Sequence, residues 1–351
     1  MRYVKSNQEE LSGLEGREMG QKKSVLVMRD TGMNNNEILA EKLSTDWDVQ
    51  ILSIRDDPDF FNEMVKNMDA IVGGPIPNGV PTTTNLKLYQ VPFTGFDWIT
   101  PTELPVGAIL CNTHEHETTI AEHLMAGMLE WQTGLMRDTH PVMQKYSFNG
   151  RDINKGPHHR ELRGSTVGII GYGHIGREIA RRCKAFDMTV MAVSRTMRKE
   201  PKLVDWYGTV EDLDALLKRS DFVINCAPGG KETRGMIDGR CFSIMKSDAI
   251  IANVGRGEVI DEKALYEALS SRRIRGGIID VWYNYPGSKS PNPWPSKFPF
   301  HKLDNIIMSP HNSAWTQAMS HRRWDFVAAN LDRLSKGLEL KNFCFNGERV
   351  D

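Results

Sequence analysis

The chain has 351 residues, 44 Lys and Arg against 45 Asp and Glu, a formal net charge of −1, 40% hydrophobic and 25% charged residues. This is the composition of a soluble globular protein, and it offers neither the basic excess that nucleic acid attracts nor a face for an anionic membrane. A single hydrophobic core rarely fills such a length, so two domains are expected.

The five cysteines, Cys111, Cys183, Cys226, Cys241 and Cys344, are odd in number and scattered, with no C-x-x-C pair. Neither a disulfide framework nor a zinc knuckle is indicated, and a reducing, cytoplasmic setting is expected. No run reaches the roughly 18 apolar residues of a membrane span. The polar opening is unlike a secretory signal, and residues 1–22 read as a flexible tail.

In chain order, a β-branched run at 24–28 and helical spacing at 36–43 begin a strand–helix alternation. Strands are expected at 48–54, 70–77, 86–91 and 108–111, with a helix at 60–67. Gly73 and Gly74 close the strand at 70–77; their N–H groups can hold an anion, and a plain strand-end turn is the other reading. His114-Glu-His-Glu117 has the residue types of a metal site, and His114 and His116 would share a face on a strand. It supplies no obvious third and fourth ligands elsewhere, so no metal is assigned, and His116 is taken as facing substrate. An amphipathic helix follows at 119–131, with His123 read as a packing residue. Residues 140–164, with Gly150, Gly156, Pro157 and His158-His159-Arg160, read as a surface arm.

The stretch that organises the chain is Thr166-Val-Gly-Ile-Ile-Gly171-Tyr-Gly173-His-Ile-Gly176-Arg-Glu-Ile-Ala180. An apolar strand breaks into spaced glycines and then a helix over 177–186. Gly171 permits the tight exit turn, Gly173 lets a phosphate approach bare backbone, and Gly176 lets helix and strand pack closely. The helix start at His174 and Ile175 offers unpaired N–H groups and a partial positive charge. With another strand at 189–193, this context reads as a dinucleotide site.

That strand ends in Ser194-Arg195-Thr196, with Arg198 and Lys199 close by, where an acidic residue would receive the ribose hydroxyls of NAD. With no carboxylate there to repel a 2′-phosphate, NADP(H) is favoured, NAD(H) remaining possible; a solvated basic turn is the bland alternative. Alternation continues through helices at 213–219, 242–245 and 261–270 and strands at 221–227, 249–253, 277–281 and 305–308. An irregular segment spans 287–299 and a closing amphipathic helix spans 319–336. The fold class is α/β, two doubly wound parallel-sheet domains with ligands at the strands' carboxyl ends.

Over roughly residues 24–345 the sequence resembles the D-isomer-specific 2-hydroxyacid dehydrogenases. The motifs in register are Leu86-Lys-Leu-Tyr-Gln, Ile120-Ala-Glu-His, Gly168 to Gly176, Ser220-Asp-Phe-Val, Lys231-Glu-Thr-Arg-Gly235, Asn253-Val-Gly-Arg-Gly257-Glu-Val-Ile-Asp, Asp280-Val and Ser309-Pro-His311. The resemblance implies a Rossmann nucleotide domain (118–311) inserted in a flavodoxin-like substrate domain (23–117 and 312–351), a homodimer through the nucleotide domains, and a small 2-oxo or 2-hydroxy acid as substrate. It implies that Arg256 holds the substrate carboxylate and polarises the carbonyl, that His311 is the acid/base, and that Asp280 faces the nicotinamide carboxamide. Cys226, Pro228, Thr233, Val254 and Gly255 join the glycine turn, Arg256 and His311 around the cofactor.

One departure from the family pattern stands out. Tyr285 occupies the place where the family usually has the glutamate that orients the histidine. A phenol can orient an imidazole but cannot stabilise imidazolium as a carboxylate does, so a lowered His311 pKa is expected. Asp280-Val-Trp resembles the formate dehydrogenases, but their Gln is missing and formate is not assigned. Trp282, Tyr283, Tyr285 and Trp315 point to a substrate with an apolar body. A nucleotide-sensing scaffold that has lost efficient turnover is the alternative.

Overall fold

The computed structural model describes residues 22–29, 36–76, 79–81, 85–148, 158–197, 203–287 and 290–349. Residues 1–21 of the expected tail, Arg198 and Lys199, and residues 149–157 of the expected arm lie outside the described residues. The strands are β1 (Lys23–Met28), β2 (Trp47–Leu52), β3 (Ala70–Val72), β4 (Leu88–Gln90), β5 (Ile109–Cys111), β6 (Thr166–Ile170), β7 (Thr189–Ser194), β8 (Trp206–Thr209), β9 (Phe222–Asn225), β10 (Ile250–Asn253), β11 (Gly276–Ile279), β12 (Ile306–Met308) and β13 (Phe343–Asn346). The α-helices are α1 (Leu39–Lys42), α2 (Pro58–Lys66), α3 (Glu117–Thr133), α4 (His140–Met143), α5 (His174–Ala185), α6 (Leu213–Arg219), α7 (Gly239–Ile244), α8 (Glu262–Ser270) and α9 (Gln317–Ser335). Among the described residues no helix is long and apolar enough to cross a membrane.

The chain divides into two compact units, Met1–Glu115 with Thr316–Asp351, and His116–Trp315. In the first, the strand order is β13-β5-β4-β3-β1-β2. Five strands are parallel and β13 returns antiparallel along β5, with an irregularity between Phe343 and Phe345. Helix α9 starts at Thr316, whose side chain accepts from the Met319 N–H at 3.1 Å. It buries Trp324, Val327, Ala328 and Leu331 against Val25, Val27, Leu39 and Trp47. The closing helix therefore packs on the chain's first strands.

The second unit holds seven parallel strands in the order β12-β11-β10-β9-β6-β7-β8. The order reverses at β6, which pairs with β7 on one side and β9 on the other; that switch point is where open α/β sheets bind ligands. Helix α5 packs through Gly176, Ile179, Ala180 and Cys183, a helical spacing that turns Arg177 and Arg181 outward. Helix α8 is capped by Asp261, which accepts from the Ala264 N–H at 2.8 Å.

Two strands absent from the sequence reading complete the sheets. β8 is four residues long and β13 runs opposite to its neighbour with mostly exposed or half-buried side chains, so neither carries a clear apolar period. In the other direction, residues 112–116 have no regular structure, so His114 and His116 do not share the face of a strand.

Helix α3 lies on β11 through small residues. A Cβ on Gly276 would meet the Trp131 ring at 2.2 Å, and one on Gly127 would meet Ile278 at 3.0 Å. The buried Trp131 indole donates to the Gly277 carbonyl at 3.4 Å, with the Arg275 guanidinium 5.6 Å above the ring. Truncating so large a buried ring leaves a cavity worth about 3–5 kcal/mol. Trp131→Ala is expected to lower the urea midpoint of unfolding accordingly, with an unchanged slope.

Candidate active site

At the switch point, three loops meet backbone to backbone. Gly171 has φ +95°, and a Cβ there would lie 2.8 Å from the Ala227 nitrogen. A Cβ on Gly176 would lie 2.5 Å from the Gly171 carbonyl oxygen, and one on Gly255 would lie 2.4 Å from that of Ala227. Side chains are excluded at all three positions. Gly173 differs, because nothing lies within 4 Å of its would-be Cβ. It precedes α5 with no side-chain cap, and the first helical bond runs from the Arg177 N–H to the Gly173 carbonyl at 3.1 Å. An open cradle faces the start of a 12-residue helix, which is the arrangement a pyrophosphate needs.

The floor of the site is braced by two buried asparagines. Asn225 donates to the Asn253 side-chain oxygen at 2.8 Å, and the Asn225 oxygen accepts from the Ala227 N–H at 3.1 Å. Asn253 accepts from the Gly255 N–H at 3.2 Å and donates to the Arg256 carbonyl at 3.1 Å. These bonds fix the loop after β10 that carries Val254, Gly255 and Arg256. Thr233 closes the loop after β9 by donating to the Pro228 carbonyl at 2.7 Å, and burial pushes the Cys226 thiol up.

Arg256, half-buried, leaves β10; Asp280 leaves β11; His311 leaves β12. These strands are adjacent, so the three residues come from neighbouring carboxyl ends. The Arg256 guanidinium donates to the Gly255 carbonyl at 3.0 Å and, among the described residues, forms no ion pair. Its charge is therefore uncompensated by a local carboxylate contact. His311 is held at φ +57°, a left-handed conformation that costs a non-glycine residue about 1–2 kcal/mol. The imidazole pKa falls below its ordinary value: burial is the largest cause and Arg256 adds to it, while Asp280 opposes both.

Tyr285 packs against this histidine, ring centroids 5.4 Å apart and planes inclined by 59°. Its hydroxyl accepts from the Trp282 N–H at 3.0 Å, and no hydrogen bond engages the His311 ring among the described residues. In this structure the phenol meets the imidazole through its ring. Burial raises the Tyr285 pKa, opposed by the Trp282 N–H and Arg256.

Asp280, only 1% exposed, is hydrogen-bonded to the loop that carries His311. Oδ1 accepts from the Ser309 hydroxyl at 2.6 Å and the Asn312 N–H at 3.0 Å, and Oδ2 from the Ser313 hydroxyl at 2.5 Å. The Ser313 N–H lies 3.3 Å from both oxygens. Ser309 is bonded in turn to His123 Nε2 at 3.2 Å, so His123 is a satisfied histidine that ties α3 to this loop.

At the far end of β7, Ser194 Oγ donates to the Thr196 carbonyl at 2.9 Å and is bonded to the Tyr207 hydroxyl at 2.5 Å, an occupant brought by β8. The sequence reading placed no carboxylate beside Arg195. The fold corrects this: Glu232, from the loop after β9, lies 3.8 Å from Arg195, both side chains being exposed.

His116, buried, directly precedes α3, and its carbonyl accepts from the Thr119 hydroxyl at 2.8 Å. Gly73 and Gly74 belong to the first unit. The Gly73 N–H bonds the Gln90 carbonyl at 3.1 Å and so is not offered to an anion; a Cβ there would collide with Met28.

A cavity of about 410 Å³ lies against the His311 loop, lined by Trp282, Tyr285, Trp294, Phe298, Phe300 and Pro310 among others. Its walls are largely apolar.

Residues 129–313 match the family model described as "D-isomer specific 2-hydroxyacid dehydrogenase, NAD binding domain". The chain belongs to this dehydrogenase family. Among curated proteins it is 33% identical over 244 residues to the D-3-phosphoglycerate dehydrogenase of Archaeoglobus fulgidus, covering 67% of this chain and 42% of that protein. To the glyoxylate reductase of Pyrococcus furiosus it is 38% identical over 177 residues, half of each chain. The chain thus spans about a third to a half of the length of the curated relatives it matches. Solved structures share the fold. A family protein from Aeromonas salmonicida superposes with TM-score 0.76 at 21% identity, covering 93% of this chain and 99% of that one. The NADPH-dependent glyoxylate/hydroxypyruvate reductase of Sinorhizobium meliloti, in complex with NADP and sulfate, gives 0.73 at 22% identity, covering 92% and 98%. Both dehydrogenase structures extend the likeness over both units.

Sequence reasoning missed Asn225, Asn253, Ser309, Ser313 and Glu232. Polar residues ending apolar strands are the one signal that could have found the first two, since a buried amide must be paired. Because the Gly173 cradle is open and that of Gly171 is closed, two substitutions should separate. Gly173→Ala is expected to leave thermal stability of the free protein unchanged while weakening NADPH binding in a fluorescence titration. Gly171→Ala is expected to lower both.

Proposed function

We propose that the protein reduces a 2-oxo acid to a D-2-hydroxy acid, or the reverse, with NADP(H) favoured over NAD(H). The observation that carries the reading is the origin of Arg256 and His311 at the carboxyl ends of β10 and β12, the parallel strands on either side of β11, where the Arg256 charge reaches the imidazole. The bound nicotinamide supplies the hydride. Arg256 holds the substrate carboxylate through two parallel N–H donors and polarises the reacting carbonyl, a task that suits a guanidinium with no ion pair among the described residues. His311, as imidazolium, gives its proton to the carbonyl oxygen as the alkoxide develops; as neutral imidazole it takes that proton back in oxidation. Asn225 and Asn253 keep the arginine loop from relaxing.

The apolar cavity beside the His311 loop supports a 2-oxo acid with an apolar substituent over a bare one. Arg195 and the Thr196 turn support recognition of a 2′-phosphate, against which Glu232 works. Leu135, Met136, Met143, Tyr146 and Phe148 are exposed on the segment after α3, which supports a homodimer formed through this unit. The five free cysteines accord with a cytoplasmic setting. The absent hydrogen bond between Tyr285 and His311 is what favours the second reading, a nucleotide-binding scaffold without efficient turnover.

A panel of 2-oxo acids assayed with NADPH decides between them. Turnover is expected, best with apolar substituents, and His311→Ala should reduce it by about 10²–10⁴-fold; no turnover anywhere in the panel would favour the scaffold. Because burial and Arg256 lower the His311 pKa, its protonated form is lost early as pH rises. The rate of reduction should therefore begin to fall below the ordinary imidazole range, and oxidation should persist to correspondingly lower pH. Arg195→Ala is expected to weaken NADPH about 10-fold or more with NADH unmoved, read by titration; a wild-type preference for NADH would defeat the cofactor assignment.

A further inference from the structure

The backbone at Arg256 is fixed, since its carbonyl accepts from the Asn253 amide at 3.1 Å and from the Val259 N–H at 3.3 Å. The side chain needs its own constraint. Its guanidinium end meets the Gly255 carbonyl at 3.0 Å. Its stem is covered by Gly229, from the loop after β9, where a Cβ would lie 3.1 Å from Arg256 Cγ and 3.5 Å from Arg256 Cβ. A side chain with so many rotatable bonds keeps one direction only when its stem is walled in.

The loop that supplies this wall is tied at its ends and bridged near its tip. Thr233 donates to the Pro228 carbonyl at 2.7 Å, and the Gly235 N–H donates to the Glu258 carbonyl at 2.8 Å. Near the tip, the Gly230 N–H donates to Glu258 Oε1 at 3.0 Å, while Glu258 Oε2 pairs with Arg234 at 2.8 Å. A Cβ on Gly229 would strike Glu258 Oε1 at 2.6 Å, so the carboxylate and the arginine stem both abut this one glycine. Glu258 follows Arg256 by two residues, in the turn Gly257–Val259, yet its oxygens go to the neighbouring loop.

We infer that Glu258 is a positioning residue for Arg256: by holding Gly230 it keeps Gly229 against the arginine stem, and so fixes the direction in which the guanidinium points. The inference rests on Arg256 being the group that holds the substrate carboxylate. Glu258 acts through the arginine.

The test is Glu258→Ala, read by steady-state kinetics on the 2-oxo acid best used in the panel and by NADPH titration. The value of kcat/KM for the acid is expected to fall about 10- to 100-fold, the scale of a misplaced binding group. NADPH affinity is expected to stay within about twofold, because Thr233 still closes the base of the loop and the glycine cradle is untouched. Glu258→Gln keeps an oxygen for the Gly230 N–H and should bring kcat/KM back to within about threefold of wild type. Arg234→Ala, which removes only an exposed pair, should also stay within about threefold. Wild-type kcat/KM in Glu258→Ala would overturn the inference. So would a fall in NADPH affinity that matches the fall in kcat/KM, which would make Glu258 a support of the cofactor loop. A glutamine variant as impaired as the alanine one would overturn it too, by making charge the cause. Gly229→Ala covers the case in which Glu258→Ala fails to fold: its Cβ displaces the carboxylate and crowds the stem, and wild-type kcat/KM there would sink the wall. Arg256→Ala in the same assay keeps the two questions apart, since undiminished kcat/KM there would refute the arginine's own role.

Discussion

The whole second unit depends on how closely the exits of β6, β9 and β10 approach one another. The backbone of Ala227 is pressed between Gly171 on one side and Gly255 on the other, at distances no side chain tolerates. Backbone brought that close loses contact with water, and each unpaired polar group left there would cost about 1–3 kcal/mol. The Asn225 and Asn253 side chains settle this by accepting from the Ala227 and Gly255 N–H groups. The same bonds that satisfy the backbone set the direction in which Arg256 departs. The cofactor cradle and the arginine proposed to bind substrate thus share one cause.

The candidate acid/base sits under opposing influences whose order can be stated. Burial acts most strongly on His311 and lowers its pKa; Asp280 opposes it, and Arg256 adds to it. An arginine placed to polarise a carbonyl must stand near the group that protonates that carbonyl, so its repulsion of the imidazolium is a consequence of the proposed chemistry. A lower pKa makes the imidazolium a stronger acid and a scarcer one at neutral pH. Asp280 moderates that exchange by opposing burial and Arg256.

The nucleotide site was legible because it is local. Gly171, Gly173 and Gly176 sit in one stretch, and the strand and helix around them follow from period alone. Arg256 and His311 were legible only through motif resemblance, since nothing in their spacing says that β10 and β12 flank β11. What the sequence could not disclose were contacts made by tertiary packing. Ser309 and Ser313 look like loop serines until Asp280 is seen between them, and Glu232 is an ordinary loop acid until β7 ends beside it. The Tyr285 hydroxyl accepts from the Trp282 N–H three residues earlier, and it is the ring that packs against the imidazole. Resemblance transferred the position of the missing glutamate and could not transfer its bond.

On the proposed reading, cofactor choice turns on whether Glu232 cancels Arg195. Two exposed side chains 3.8 Å apart form a pair worth about 0–1 kcal/mol, screened by salt and held by flexible stems. A charge-assisted bond from the guanidinium to a phosphate is worth about 1.5–3 kcal/mol. The phosphate therefore displaces the carboxylate from the arginine, and Glu232 reduces the preference without reversing it. Ser194 cannot add to that preference directly, because its hydroxyl is held between Thr196 and Tyr207; it fixes the turn from which Arg195 projects. Tyr207 in turn stands edge-on to Tyr172 of the glycine turn at 5.8 Å, so β8 braces the adenosine end of the site. Among the described residues the proposed preference is thus carried by one exposed arginine, which makes it weaker at high ionic strength than a buried recognition would be.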